Sequence, residues 1–129
     1  MLQRQLRVVI IDEHAPVRQA LEERLEACQD MAVVGCTGCW QEGIHMAEKS
    51  AADVVLLETK RSDEQGMAAL RRLRSECPYA NIVVLTSYPD SQEKEEALDT
   101  GAMRYVLKDI GSDYLIEEIR TLTRPQAPI

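Results

Sequence analysis

Residues 52–61 read ADVVLLETKR, a short run of Val and Leu that ends at Glu58. A continuous aliphatic run of this length is typical of a strand buried on both faces of a parallel sheet. A glutamate at the end of such a strand has three candidate roles. It can be a catalytic carboxylate, a metal ligand, or an ordinary surface charge at the start of a loop.

Other apolar runs of the same kind occur along the chain, at residues 7–11, 31–36, 81–85 and 104–107. Together with residues 53–57 they predict five strands. The segments between and after them show helical spacing of apolar residues, at 16–28, 40–50, 65–76, 91–101 and 112–123. Strands that alternate with helices form βαβ units with right-handed crossovers. We therefore predict an α/β fold, a (βα)5 doubly wound five-stranded parallel sheet in a single domain.

The ends of the last two predicted helices carry capping signals. Ser91 is expected to cap helix 91–101 and Gly101 to end it, and Ser112 precedes the apolar face of helix 112–123. The segment 123–129, TRPQAPI, has two prolines and no apolar period. We expect a domain over residues 1–122, followed by a tail or the start of a linker over 123–129.

Composition excludes several classes of function. The chain has 129 residues and a net charge of −7, which makes direct nucleic-acid binding unfavourable because phosphate contacts need clustered Lys and Arg. No segment is apolar for long enough to span a membrane, and the first residues lack the features of a signal peptide. We therefore expect a cytoplasmic protein without a membrane partner.

The four cysteines include one CxxC pair, Cys36 and Cys39. Such a pair is found in redox modules and in metal sites. No second CxxC accompanies it, so we interpret these residues as ordinary cysteines and keep a redox module as an alternative hypothesis.

Polar residues stand at the carboxyl ends of four predicted strands: Asp12 and Glu13, Glu58, Thr86 and Ser87, and Lys108 and Asp109. In open α/β sheets the loops at this edge carry the chemistry. Clustered carboxylates repel one another unless a cation lies among them, and Mg²⁺ prefers such oxygen ligands together with water and phosphate. A lysine and a hydroxyl beside that ion would bind a phosphoryl group.

Four stretches carry a resemblance to a known family: VVIIDEHAPVRQAL, ADVVLLE, IVVLTSY and GAMRYVLKD. In this order and spacing they resemble the response-regulator receiver domain over residues 7 to 122, in the subfamily that precedes a helix-turn-helix DNA-binding domain. The resemblance implies a flavodoxin-like fold and a signalling role rather than an enzymatic one. It also implies a sensor histidine kinase or another signalling protein as partner, and a DNA-binding domain beyond residue 129. Dimers or partners would use the face formed by the fourth helix, fifth strand and fifth helix.

The resemblance assigns the site residues position by position. Asp12, Glu13 and Glu58 match the residues that hold Mg²⁺, and Glu58 falls where the family has its phosphoacceptor aspartate. A second group matches the residues that contact the phosphoryl group or switch with it: Thr86, Tyr105 and Lys108. Tyr105 as plain core is the alternative for the aromatic switch.

Glu58 is the central departure from the family pattern. It has the charge of aspartate but one more methylene, which displaces the carboxylate by about 1 Å, enough to cost about a hundredfold where in-line geometry matters. One interpretation is that Glu58 partly mimics the phosphorylated state, and another is that the site is retired and Mg²⁺ binding is weak or lost. In both the domain signals by protein contacts without phosphorylation. A receiver that is still phosphorylated with Mg²⁺, and a flavodoxin-like domain that binds a nucleotide or flavin, are the alternatives.

Two further residues lie beside these motifs. His14 follows the acidic pair, and we interpret it as a surface loop histidine, with modulation of the acidic pair as the alternative. Trp40 is expected to pack its helix against the sheet.

Overall fold

Runs rich in Val, Ile and Leu form the strands of this protein, and the amphipathic segments between them form the helices. The computed structural model describes residues 5–59, 64–109 and 113–123. Within these residues strands and helices alternate: β1 Leu6–Ile11, α1 Ala15–Glu26, β2 Met31–Thr37, α2 Trp40–Lys49, β3 Val54–Glu58, α3 Glu64–Glu76, β4 Asn81–Thr86, α4 Ser91–Thr100, β5 Arg104–Leu107 and α5 Tyr114–Thr123. The predicted (βα)5 order is confirmed.

The strands form one parallel sheet in the order β2-β1-β3-β4-β5. β1 therefore lies between β2 and β3, and the chain winds away from it in both directions. The carboxyl ends of β1 and β3 flank the point where the strand order reverses. In doubly wound sheets this crevice is the usual place for a ligand or a reactive group.

Each face of the sheet is covered by its own hydrophobic core. Side chains of α2, α3 and α4 pack on one face with Val55 and Leu57, and those of α1 and α5 pack on the other with Val54 and Leu56. Since both faces are covered, β3 has no polar side, and each fully buried Val or Leu contributes about 1.5–3 kcal/mol. This explains the unbroken apolar run that precedes Glu58. Trp40 packs against the first of these cores, as expected.

Helix α4 differs from the prediction at its beginning and agrees with it at its end. Asp90, not Ser91, is the cap residue, and its side chain accepts a hydrogen bond from the backbone N–H of Gln92 at 3.0 Å. Ser91 is the first residue inside the helix, so its hydroxyl is one position too late to cap it. Gly101 ends the helix with a φ of 124°, a backbone conformation that favours glycine.

The ends of two other helices also differ from their predicted positions. α1 ends at Glu26, two residues before the predicted end, and α5 begins at Tyr114 and includes residue 123. The predicted cap Ser112 and the segment 124–129 lie outside the described residues. The apolar face of α5 is confirmed, since Leu115 and Ile119 are buried in the second core. Among the described residues, no helix has the length and apolarity that a membrane span requires.

Candidate functional site

The register of the sheet brings the predicted site residues to one edge. Ile11, the last residue of β1, pairs with Leu57, so the next residues, Asp12 and Glu58, lie beside each other where the strands end. On the other side, β4 pairs with β5 up to Thr86, and Lys108 follows β5 directly. Four residues that are far apart in sequence therefore share one edge, as predicted.

Lys108 bridges the two carboxylates at the centre of this edge. Its ammonium donates hydrogen bonds to Asp12 Oδ2 at 3.0 Å and to Glu58 Oε2 at 3.1 Å. The side chains of Lys108, Asp12 and Glu58 are only 4%, 1% and 6% exposed. Buried charges are tolerated when they are paired and hydrogen-bonded, so the three residues form one unit in which the loss of any member is costly.

His14 lies closer to the carboxylates than a surface histidine would. Its backbone N–H donates to Asp12 Oδ1 at 2.9 Å, which fixes that oxygen. Its ring nitrogen Nδ1 is 3.4 Å from Asp12 Oδ1 and also 3.4 Å from Glu58 Oε2, while the side chain remains 56% exposed. The side chain is on the surface, as expected, and its ring lies beside Asp12 and Glu58. Modulation of the pair Asp12 and Glu13 by His14 stays a prediction.

Glu13 occupies a different position from the other acids. It is exposed and lines a shallow cleft together with Asp12, Glu58 and Trp40. In the part of the chain that the structure describes, the side chains whose ligand atoms lie within 4.8 Å of one another are Asp12, His14 and Glu58. Two carboxylates with room for water fit Mg²⁺, whereas the third donor is an imidazole nitrogen, which Mg²⁺ does not favour.

Thr86 stabilises the turn that follows β4. Its buried hydroxyl accepts a hydrogen bond from the backbone N–H of Tyr88 at 3.1 Å, and its carbonyl accepts one from the backbone N–H of Lys108 at 2.7 Å. Thr86 thus holds together the β4 and β5 ends of the edge. A group bound at Glu58 would lie one strand away from it.

A buried hydrogen-bond network connects the edge to α4. Glu93, only 9% exposed, accepts at Oε1 a hydrogen bond from Tyr105 Oη at 2.7 Å and one from Thr59 Oγ1 at 3.1 Å. The Tyr105 hydroxyl also accepts from the backbone N–H of Asp90 at 3.2 Å. Burial raises the pKa of Tyr105, and the hydrogen bond to Glu93 raises it further. The hydroxyl of the half-buried Tyr105 thus links β5 to the beginning of α4.

The sequence prediction missed Glu93 and Thr59. Glu93 was one of several acids in the most polar helix, where a solvent-facing role is the usual interpretation. One signal was available, because Glu93 stands four residues before the fully buried Ala97 and so shares its helix face. Thr59 directly follows Glu58, so the network begins one residue from the edge carboxylate.

The cysteines show no sign of redox pairing. All four are in the described part of the chain, and none forms a disulfide. Burial raises the pKa of the Cys36 thiol, which disfavours the reactive thiolate, and Cys39 is exposed with its thiol near the side-chain oxygen of Gln41. This environment does not support the redox alternative.

Comparison with known sequences identifies the family. Residues 8–120 match the response regulator receiver domain. The chain is 30% identical over 119 residues to the transcriptional regulatory protein LiaR of Bacillus subtilis, covering 92% of this chain and 56% of that protein. It is 30% identical over 123 residues to a nitrate/nitrite response regulator protein homolog of Haemophilus influenzae, covering 95% of this chain and 59% of that protein. The chain thus spans little more than half the length of these curated relatives.

Solved structures show the same architecture. A response regulator from Thermotoga maritima superposes with a TM-score of 0.82 at 25% identity, over 96% of this chain and all of that chain (100%). The response regulator domain of Thermotoga maritima CheB superposes with a TM-score of 0.81 at 22% identity, over 96% and 100% of the two chains. The flavodoxin-like fold predicted from the sequence is therefore confirmed.

Proposed function

Because the chain belongs to the response regulator receiver domain family, we propose that it is an atypical receiver that signals without phosphorylation of Glu58. Receivers of this family are signalling modules. In this proposal the domain transmits its state through protein–protein contacts and contributes to transcriptional regulation. Relatives named as transcriptional regulators support the last part, and a DNA-binding domain beyond residue 129 would carry the output.

The observation that carries the proposal is the contact between Glu58 and Lys108. The family resemblance gives the lysine the role of pairing with a phosphoryl group on the acceptor. In this chain the longer side chain of Glu58 already reaches Lys108, at 3.1 Å and in a buried environment. Attack on a phosphoryl donor requires a free, in-line oxygen, and a displacement of about 1 Å costs about a hundredfold. Lys108 holds one of the two carboxylate oxygens of Glu58, and the added methylene displaces the other, so Glu58 is a poor acceptor mainly because of this displacement.

Charge distinguishes a partial mimic from a retired site. A phosphoryl group would add about −1.5 to −2 charges, whereas glutamate adds none over aspartate. Any mimicry must then come from the greater length of the Glu58 side chain, which brings its carboxylate into contact with Lys108. We propose that this contact holds the domain in one fixed state, so that its signal depends on partner binding.

The ion pairs of Lys108 also affect the binding of Mg²⁺. Asp12, Glu13 and Glu58 are the residues that would hold the ion, and it would supply positive charge beside a phosphoryl group. Lys108 already neutralises part of the charge of Asp12 and Glu58. We therefore propose that Mg²⁺ binds weakly.

The proposed contact surface is the face formed by α4, β5 and α5, and its proposed occupant is a second copy of the chain. β5 is an edge strand, paired only with β4, and its Leu107 is half exposed. Leu98 on α4 and Tyr114 on α5, the two other elements of this face, are also exposed. Sedimentation of the wild type should show a dimer. Leu107→Glu should dissociate this dimer, because it places a charge on the proposed contact surface. Tyr79→Ser, which changes an exposed tyrosine before β4, is the control and should leave the dimer intact. A monomer at all concentrations would contradict the homodimer.

Phosphorylation is tested by exposing the protein to acetyl phosphate and Mg²⁺ and measuring its intact mass. The wild type should show no stoichiometric phosphoryl adduct. Glu58→Asp is the matched variant, and it should gain the adduct because Asp12, Thr86 and Lys108 keep their places. A wild-type adduct on Glu58 would overturn the proposal in favour of the phosphorylatable receiver. An unreactive Glu58→Asp variant would show that the site is lost beyond this single residue.

A further inference from the structure

We propose that the pocket of Asp12, His14 and Glu58 binds a first-row transition-metal ion, such as Co²⁺ or Zn²⁺, in preference to Mg²⁺. His14 Nδ1 would be the third ligand beside the two carboxylates. This proposal rests on the proposed function, in which the pocket no longer takes part in phosphoryl transfer. The site would owe its metal preference to His14, which is not one of the three acids that the family resemblance assigns to Mg²⁺.

The spacing of the donor atoms fits such an ion. His14 Nδ1 lies 3.4 Å from Asp12 Oδ1 and 3.4 Å from Glu58 Oε2, and the three ligand atoms are all within 4.8 Å of one another. Metal–ligand bonds of about 2.0–2.1 Å in tetrahedral geometry separate neighbouring ligand atoms by about 3.4 Å. Two of the three separations therefore already have the length that a bound ion would impose.

The donor types decide which ion is favoured. Imidazole nitrogen suits Zn²⁺, Co²⁺ and Ni²⁺, whereas Mg²⁺ takes oxygen ligands and keeps most of its water. Because the His14 ring is half exposed, solvent can reach the ion and fill the remaining positions. Three protein ligands and an open position form the usual arrangement of an accessible Zn²⁺ site.

The carboxylates are held in place before any ion arrives. Asp12 Oδ1 accepts a hydrogen bond from the His14 backbone, and Lys108 fixes the other oxygen of Asp12 as well as Glu58 Oε2. Such outer contacts orient ligands and reduce the entropy lost on binding. The carboxylates of Asp12, Glu13 and Glu58 line the cleft, and they face the ammonium of Lys108 and the guanidinium of Arg18, which donates to the Asp12 carbonyl at 2.7 Å. A divalent cation is therefore attracted but not bound with extreme affinity.

Trp40 provides a reporter inside the same cleft. It is the one tryptophan of the chain and lines the cleft with Asp12 and Glu58. Co²⁺ bound to the carboxylates should quench its fluorescence, and the visible absorption of Co²⁺ reports coordination geometry. Thiolate ligands add a strong near-ultraviolet band, which distinguishes binding at Cys36 and Cys39 from binding at His14.

The experiment titrates the metal-free chain with Co²⁺, Zn²⁺ and Mg²⁺, following Trp40 fluorescence, Co²⁺ absorption and calorimetry. His14→Gln should weaken Co²⁺ and Zn²⁺ binding by at least about tenfold, since even outer-shell changes cost that much, and should leave Mg²⁺ binding within about twofold. His45→Gln, at the other exposed histidine of the chain, is the matched control and should change nothing. Circular dichroism of both variants checks that the fold is intact.

Three results would overturn the inference. These are Mg²⁺ binding as tight as Zn²⁺ binding, equal Co²⁺ affinity in His14→Gln and wild type, and loss of Co²⁺ binding when Cys36 and Cys39 are replaced by serine. No phosphoryl donor is present in the titration. A failed metal site therefore leaves the absence of phosphorylation untouched, and a phosphoryl adduct on Glu58 would refute the proposed function without refuting metal binding.

Discussion

Glu93→Ala should destabilise the fold by about 2–3 kcal/mol, although Glu93 lies in the most polar helix of the chain. Glu93 Oε1 accepts hydrogen bonds from Thr59 and Tyr105, and bonds to a charged acceptor contribute about 1.5–3 kcal/mol each. The cost of removing the Glu93 carboxylate from water offsets part of the stability that these hydrogen bonds contribute.

The two hydroxyl donors respond differently to the loss of their acceptor. Thr59 is only 3% exposed, so its hydroxyl stays unsatisfied at a cost of about 1–3 kcal/mol. Tyr105 is half-buried and can turn toward water at little cost. Glu93→Gln keeps an acceptor oxygen and should therefore cost about 1 kcal/mol or less. Glu93→Ala and Tyr105→Phe should show a coupling of about 1 kcal/mol in a double-mutant cycle, because the two side chains touch.

Urea denaturation followed by circular dichroism and Trp40 fluorescence measures these differences. Glu95→Ala, on the exposed side of the same helix, is the matched control and should stay within about 0.5 kcal/mol of wild type. The buried network would be refuted if Glu93→Ala cost no more than Glu95→Ala. Independent effects of the Glu93 and Tyr105 substitutions would likewise show that the hydrogen bond between them carries no stability.

Three further outcomes are expected. Lys108→Met should cost about 3–5 kcal/mol in urea denaturation, since it leaves two buried carboxylates without their cation, and a cost under about 1 kcal/mol would contradict that pairing. Arg120 holds the pKa of Asp30 below its usual value, so the pair stabilises the fold above the unfolded pKa and loses this contribution as pH falls through the folded one. Asp30→Asn should remove that acid dependence at a cost under about 1 kcal/mol, because the pair is partly exposed, and an unchanged acid profile would refute the linkage. Burial raises the pKa of Tyr105, so stability should be lost as pH rises through the folded value. The hydrogen bond to Glu118 raises the pKa of Tyr114 as well, so Tyr105→Phe should remove one late titration from the ultraviolet absorbance and leave that of Tyr114.

The sheet could be predicted from the sequence because its signal is local. The central strands β1, β3 and β4 are rich in Val, Ile and Leu, because burial on both faces makes such runs continuous rather than alternating, while the edge strands β2 and β5 are partly exposed. The ends of helices were less predictable. Ser91 and Asp90 are both good cap residues, and only the position at which the backbone turns helical decides between them.

The central part of the candidate site was also predictable, because it follows from topology. Parallel strands place their carboxyl ends at one edge, so Asp12, Glu58 and Lys108 had to lie near one another. The roles of His14 and Glu93 depend on ring orientation and helix rotation, which local spacing does not specify. Both are polar residues beside apolar elements, and sequence alone favours a solvated position for such residues.

The most direct test of the central claim is whether a phosphoryl mimic changes the domain. Backbone amide spectra of the isotopically labelled chain should be recorded with and without beryllofluoride and Mg²⁺. For the wild type we expect no shifts at Thr86, Tyr105 or the residues of α4, because Glu58 already pairs with Lys108. Glu58→Asp should show shifts at all of them. Wild-type shifts of the same size at saturating beryllofluoride would contradict signalling from a fixed state and restore a phosphorylation switch.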